Sequence, residues 1–301
     1  MMSKSSPLDK RIEIPENNQW AAERELEIGR KIQASFLPEE LPQPAGWQIA
    51  SQFKAARMVA GDFYDAFTLV GGKRIGLVVA DVCDKGVGAA LFMALFRSLI
   101  RAFADQHYSL GWMDLLTSQP IDAQPDRSVS RRRELLSPGT TALKKAIELT
   151  NNYITRNHGK TNMFATMFFG VLDPATGNLT YINGGHEPPM LVGQAGIKAR
   201  LNPTGPAVGL FPDLDFNIEV VELEPGDLLV AYTDGVLDAR SPEGESFGER
   251  RLAWMVQQPA ASASALLEAI QISLNEHMAG IEQFDDITIL ALRRATSPQI
   301  E

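Results

Sequence analysis

The chain has 301 residues, 45% of them hydrophobic and 22% charged, with a formal net charge of -9; this suits one large core with an extension. The acidic balance excludes a nucleic-acid binder working through bulk electrostatics. A single cysteine, Cys83, excludes a disulfide framework and a thiolate-rich zinc site.

Residues 1–18 are polar and expected to form a flexible tail. From Gln19 to Leu37 apolar Ile28, Ile32 and Phe36 recur four apart, which predicts a helix that Pro38 stops. Such an entrance helix either packs on its own domain or serves as a linker or homodimer contact. Strands are predicted over Trp47–Ala56, Phe63–Val70 and Arg74–Ala80, the last two joined at Gly71-Gly72. Gly86–Ala104 reads as a buried helix. Its apolar run, Val87–Phe96, is too short to span a bilayer, and the amino terminus lacks a leader pattern; the expectation is a cytoplasmic protein without membrane insertion.

Residues 117–139, with prolines, serines and Arg131-Arg132-Arg133, read as a mobile insertion. Thr140–Asn157 is an amphipathic helix ended by Gly159. Strands follow over Phe164–Leu172, Asn178–Ile182, Pro189–Val192, Ile218–Leu223 and Asp227–Tyr232. Helices are expected over Gly248–Gln257 and Ser262–Met278, and a last strand over Asp286–Leu292. Strand meanders interleaved with helices give an α+β class, with antiparallel sheets covered by helices. The domain is expected to run from 38 to 294, with 295–301 as a tail.

Four aspartates share a placement. Asp81 ends the apolar run Gly76–Ala80 and Asp234 ends Leu228–Thr233, while Asp62 opens one strand and Asp285-Asp286 opens another. A lone aspartate at a strand end is commonly a turn former or helix cap, and Asp227 in Pro225-Gly226-Asp227 is assigned to a turn. If neighbouring strands run antiparallel, however, Asp62, Asp81, Asp234 and Asp285 meet at one end of the sheets. Four such carboxylates repel unless cations neutralise them, and two divalent ions balance four charges. Oxygen donors without imidazole or thiolate favour Mg²⁺ or Mn²⁺ over Zn²⁺.

Val59-Ala60-Gly61-Asp62-Phe63-Tyr64-Asp65, Ala80-Asp81-Val82-Cys83-Asp84-Lys85-Gly86-Val87-Gly88-Ala89-Ala90, Ile182-Asn183-Gly184-Gly185-His186-Glu187-Pro188-Pro189, Tyr232-Thr233-Asp234-Gly235 and Phe284-Asp285-Asp286-Ile287-Thr288 occur in that order. Together they resemble the bacterial SpoIIE/RsbU branch of the PPM (PP2C-like) protein phosphatases. The resemblance implies a β-sandwich of two antiparallel sheets flanked by helices. It also implies hydrolysis of phosphoserine or phosphothreonine on a partner protein, often an anti-sigma-factor antagonist of the STAS type. The nucleophile would be a metal-bridging hydroxide. Asp62 and Asp81 would contact both metals, Mn²⁺ or Mg²⁺, with the Val82 carbonyl as a further ligand; Asp234 and Asp285 would complete the second side, with Asp286 as a fifth candidate. Arg57 stands where some relatives place a phosphate-binding arginine. The resemblance also implies control through the helix leading into the domain.

Asp84 and Lys85 depart from the commoner Gly-His-Gly pattern, which leaves the general acid unassigned; His186 is either that acid or a structural residue of its turn. Cysteine-phosphatase chemistry is excluded, because no arginine closes the segment after Cys83. A diguanylate-cyclase-like reading of Ala60-Gly61-Asp62-Phe63 fails because Phe63 fills the second acidic position. A catalytically silent binding module of the same fold is the alternative to an enzyme.

Overall fold

A computed structural model describes residues 16–117 and 138–296. Helix α1 covers Glu16–Ala34, strands β1, β2 and β3 cover Trp47–Lys54, Phe63–Leu69 and Arg74–Val82, and α2 covers Val87–Thr117. After α3 (Pro138–His158) come β4 (Ala165–Leu172), β5 (Asn178–Gly184), β6 (Met190–Gly193), β7 (Gly196–Arg200), β8 (Glu219–Glu222) and β9 (Leu228–Tyr232). The short α4 (Asp234–Asp238), then α5 (Gly248–Val256), α6 (Ala263–Met278) and β10 (Ile287–Arg294) complete the described chain.

The strands form two five-stranded antiparallel sheets, ordered β1-β10-β9-β6-β7 and β2-β3-β4-β5-β8. Alternation along each strand explains the layers. On β3, Ile75, Leu77 and Val79 join Leu229, Ala231, Leu290 and Leu292 of the facing sheet in the sandwich interior. Val78, Ala80 and Val82 point the other way, against Met93, Phe96 and Ile100 of α2 and Leu143 and Ile147 of α3. The second sheet packs its outer face, with Val230, Tyr232, Ile287 and Ile289, on Leu252 of α5 and Leu267, Ile270 and Leu274 of α6. Strands buried on both faces read as continuous apolar runs rather than alternating ones, which is why they stood out in the sequence.

The entrance helix starts at Glu16, inside the expected tail, and ends at Ala34 rather than Leu37. The Phe36 and Leu37 amides bond three residues back, to Gln33 and Ala34; Pro38 disfavours helical geometry at the residue before it, so the last turn tightens and stops. Helix α2 runs to Thr117, beyond the expected Ala104, and over Val87–Tyr108 it is long and apolar enough to cross a membrane by length and composition. Its buried Ala89, Met93, Phe96, Ile100 and Ala104 instead lie in the core under the β2-β3-β4-β5-β8 sheet. Three elements lie outside the sequence expectation: the half-exposed edge strand β7, the five-residue α4 and a single 3-10 turn over Gly159–Thr161. The expected insertion at 117–139 lies outside the described residues except at its helical ends.

On β2, Asp65 faces the helix layer and meets two guanidinium groups of α2. Arg97 Nη2 lies 3.1 Å and Arg101 Nε 3.2 Å from Asp65 Oδ2. Burial pushes the Asp65 carboxyl above its ordinary value despite both arginines, so the pair adds little net stability but is costly to break. Asp65→Asn is expected to destabilise the fold by about 3 kcal/mol in chemical denaturation, because Arg97 is left buried without its counter-charge. The double replacement Asp65→Leu with Arg97→Met should recover most of that loss.

Candidate metal centre

Where β2 begins and β3 ends, the pairing Phe63↔Ala80 sets Asp62 opposite Asp81. In the other sheet Ile289↔Tyr232 likewise brings the Asp285-Asp286 end of β10 beside Thr233-Asp234. The two carboxylate pairs therefore belong to different sheets and approach one another across the sandwich. The link is direct: the Thr233 and Thr288 hydroxyls, both from the second sheet, each donate to Asp62 Oδ2 at 2.7 Å. Thr288 Oγ1 donates there while the Thr233 hydroxyl accepts the Thr288 amide at 3.1 Å, so the two strands and Asp62 are locked together.

Two glycines let the backbone close on this end. A Cβ at Gly61 would stand 2.8 Å from the Val82 carbonyl oxygen, and one at Gly235 would overlap the Asp286 carbonyl. Glycine is required at both by close approach of main chain to main chain.

The electrostatics are those of crowded like charges. Burial holds the Asp62 carboxyl well above its usual range, and the Asp81 charge adds to this against the threonine hydrogen bonds. Burial together with Asp234, Asp285 and Asp286 lifts Asp81 to about 7. Asp62 stands opposite Asp81 in the β2–β3 register, and the charge of Asp81 bears on it. Asp234 is raised by burial and then by Asp285. Each carboxylate thus disfavours the ionisation of its neighbours.

Asp286 behaves differently. Its Oδ1 accepts the Ala56 amide at 2.7 Å and its Oδ2 the Gly61 amide at 2.8 Å, so both oxygens staple the loop before β2. Arg57 follows Ala56 on that loop and is exposed. His186 is buried; its Nδ1 pairs with Thr166 Oγ1 at 2.8 Å, its amide donates to Asn183 Oδ1, and burial lowers the ring to about 3. Burial disfavours the imidazolium form, and the bonds to Thr166 and Asn183 fit a structural place in the turn better than that of a general acid. Cys83 Sγ accepts the Phe164 amide, and burial pushes the thiol up, as suits a structural cysteine. Asp84, at a usual glycine position, takes φ 72°, a left-handed conformation that aspartate tolerates.

Sequence reasoning gave no role to Thr233, Thr288 or Lys85, although all three lie within the motif blocks. Lys85 Nζ pairs with Asp285 Oδ2 at 2.7 Å. Among the described residues no three Asp, Glu, His or Cys side chains form a closed ligand cage. The donor set is all oxygen, which fits hard divalent cations able to draw such groups together.

Two antiparallel sheets packed face to face between helix layers form a PP2C-like α-β-β-α sandwich, with the aspartates at one end of both sheets. The family model described as Stage II sporulation protein E (SpoIIE) matches residues 71–295, three quarters of the chain, beginning just after Asp62. The chain belongs to the SpoIIE family. It is 44% identical over 270 residues to "Protein IcfG" of Synechocystis, covering 90% of this chain and 41% of that protein; the chain thus spans well under half of that relative. It is 25% identical to "Phosphoserine phosphatase RsbU" of Bacillus subtilis, over 90% of this chain and 70% of that one. Among solved structures, the SiaA-PP2C domain of Pseudomonas aeruginosa superposes with a TM-score of 0.66 at 23% identity, covering 92% and 98% of the two chains, a likeness of fold.

Proposed function

We propose that this chain hydrolyses phosphoserine or phosphothreonine on a partner protein, a STAS-type regulator being the partner class, at a centre holding two Mn²⁺ or Mg²⁺ ions. The observation that carries the reading is the meeting of Asp62 and Asp81 from one sheet with Asp234 and Asp285 from the other. Asp62, Asp81, Asp234 and Asp285, with the Val82 carbonyl, are the proposed ligands. Asp286 is assigned to holding the Ala56–Gly61 loop, because its two oxygens accept main-chain amides from the two ends of that loop. When bound, the cations supply an activated water and neutralise the charge of an in-line displacement at phosphorus. The protein's own part is to fix the ligands. Thr233 and Thr288 hold one oxygen of Asp62, and Gly61 and Gly235 seat the loops against Val82 and Asp286. Arg57, exposed on the stapled loop, is assigned to the substrate phosphate.

The entrance helix supports a regulatory and dimer-forming role. Gln33 is buried and bonds both backbone groups of Ala60, its Nε2 donating to the carbonyl at 2.6 Å and its Oε1 accepting the amide at 2.9 Å. Ile28 and Ile32 are left exposed on α1.

Purified protein with Mn²⁺ is expected to release phosphate from p-nitrophenyl phosphate and from a phosphoserine protein, and chelation with EDTA should abolish both. Failure on both substrates with Mn²⁺ present would overturn the reading.

A further inference from the structure

The two ends of the carboxylate cluster are not equivalent, and Lys85 makes the difference. Its backbone is set by Asp84 in the left-handed region, whose Oδ1 accepts the Lys85 amide at 2.8 Å, and by Gly86 at φ 84°. From there the side chain crosses to a segment about two hundred positions on in sequence. Nζ donates to the Phe284 carbonyl at 3.0 Å, lies 4.2 Å from the centre of the Phe284 ring, and pairs with Asp285 Oδ2 at 2.7 Å. The other oxygen, Asp285 Oδ1, accepts the Asp286 amide at 3.0 Å. Both oxygens of Asp285 therefore have partners, one of them a full positive charge. The same ammonium acts on Asp234. On the other side, Asp62 is approached by two threonine hydroxyls and stands opposite Asp81, and among the described residues no lysine stands between them.

Resting on the metal-centre reading above, we propose that Lys85 is a built-in competitor for the outer cation, which makes the two metal sites unequal. A divalent ion entering between Asp234 and Asp285 must share or displace the ammonium on Asp285 Oδ2 and sits close to its charge, and both effects weaken its binding. An ion between Asp62 and Asp81 meets neither obstacle. The centre then takes one cation tightly and the second weakly, and the second is the one whose occupancy follows the supply of free metal. Lys85 acts through Asp285 as a positioning residue and is a determinant of metal affinity.

The test is calorimetric titration of the metal-stripped full chain with MnCl₂ at fixed ionic strength, with Lys85→Met, Lys85→Gln and Lys85→Arg alongside. Lys85→Met keeps an apolar stem beside Phe284 and removes the charge; Lys85→Gln is a second neutral variant that must agree with it. Wild type is expected to give one tight and one weak class of site. Both neutral variants should tighten the weak class ~10-fold or more, about 1.4 kcal/mol per factor of ten, with the tight class within about twofold. Lys85→Arg should bind as wild type does. A weak class unchanged or weakened in the neutral variants overturns the proposal, as does an equal shift of both classes, which would mark a general charge effect. If wild type takes up no Mn²⁺ at all, the metal-centre reading itself falls.

Discussion

Asp81→Asn is expected to lower kcat/KM on a phosphoserine substrate by about 10³-fold, roughly 4 kcal/mol of transition-state stabilisation, while making the metal-free protein more stable. The substitution keeps the shape of the side chain and removes one of the charges crowded at the end of the sandwich. In the absence of cations that charge is a burden: burial and three neighbouring aspartates lift Asp81 from the ordinary carboxylate range to about 7. A carboxyl raised in the folded state stabilises the fold fully below its unfolded value, and this contribution is lost as pH rises through the folded value. Metal-stripped wild type should therefore lose thermal stability between about pH 4 and pH 7, and Asp81→Asn should flatten that slope. At pH 8 in EDTA the variant should melt several degrees higher, at about 2–4 °C per kcal/mol for a chain of this size. Saturating Mn²⁺ should raise the wild-type midpoint and leave that of the variant nearly unmoved. Wild-type activity in Asp81→Asn would place the metal site elsewhere.

Gly235→Ala is expected to have the second largest effect, and by a different route. The added methyl would overlap the Asp286 carbonyl, with the carbonyl carbon also within contact. Both are backbone atoms, so no side chain can swing away. The strand-end loop bearing Asp285 and Asp286 must separate from the helix start bearing Asp234. Asp286 in turn releases the Ala56 and Gly61 amides that seat the loop before Asp62. A loss of about 3 kcal/mol in denaturant titration is expected, together with weakened Mn²⁺ binding. Retained stability with unaltered Mn²⁺ affinity would mean that the two loops are not held by this contact.

The strands and the aspartates that end them were legible because both faces of each central strand are buried, so Ile75–Ala80 and Leu228–Tyr232 are apolar runs, the first followed directly by Asp81 and the second, after Thr233, by Asp234. Local sequence left open which strands share a sheet. Asp62 and Asp81 are partners through β2–β3 pairing, yet the contact of Asp62 with Thr233 and Thr288 spans the sandwich and more than 170 positions. The sandwich itself came from the family resemblance rather than from periodicity. Edge strand β7 was missed because Gly196-Ile197-Lys198-Ala199-Arg200 is half exposed and mixed in polarity, and α4 because a single turn has no period to read. The end of α2 was placed early because its apolar pattern fades after Ala104 while its helical backbone continues. Asp286 and Lys85 owe their roles to contacts with Ala56, Gly61 and Asp285, all distant in sequence, so composition near either residue gave no warning of them.

The central claim, that aspartates from two sheets converge to hold two divalent cations, is tested most directly by anomalous diffraction at the manganese edge from crystals grown with MnCl₂. The account predicts two anomalous peaks, one between Asp62 and Asp81 beside the Val82 carbonyl and one on the Asp234 and Asp285 side, the second fading first as Mn²⁺ is lowered. Peaks elsewhere, or none at saturating Mn²⁺, would contradict it.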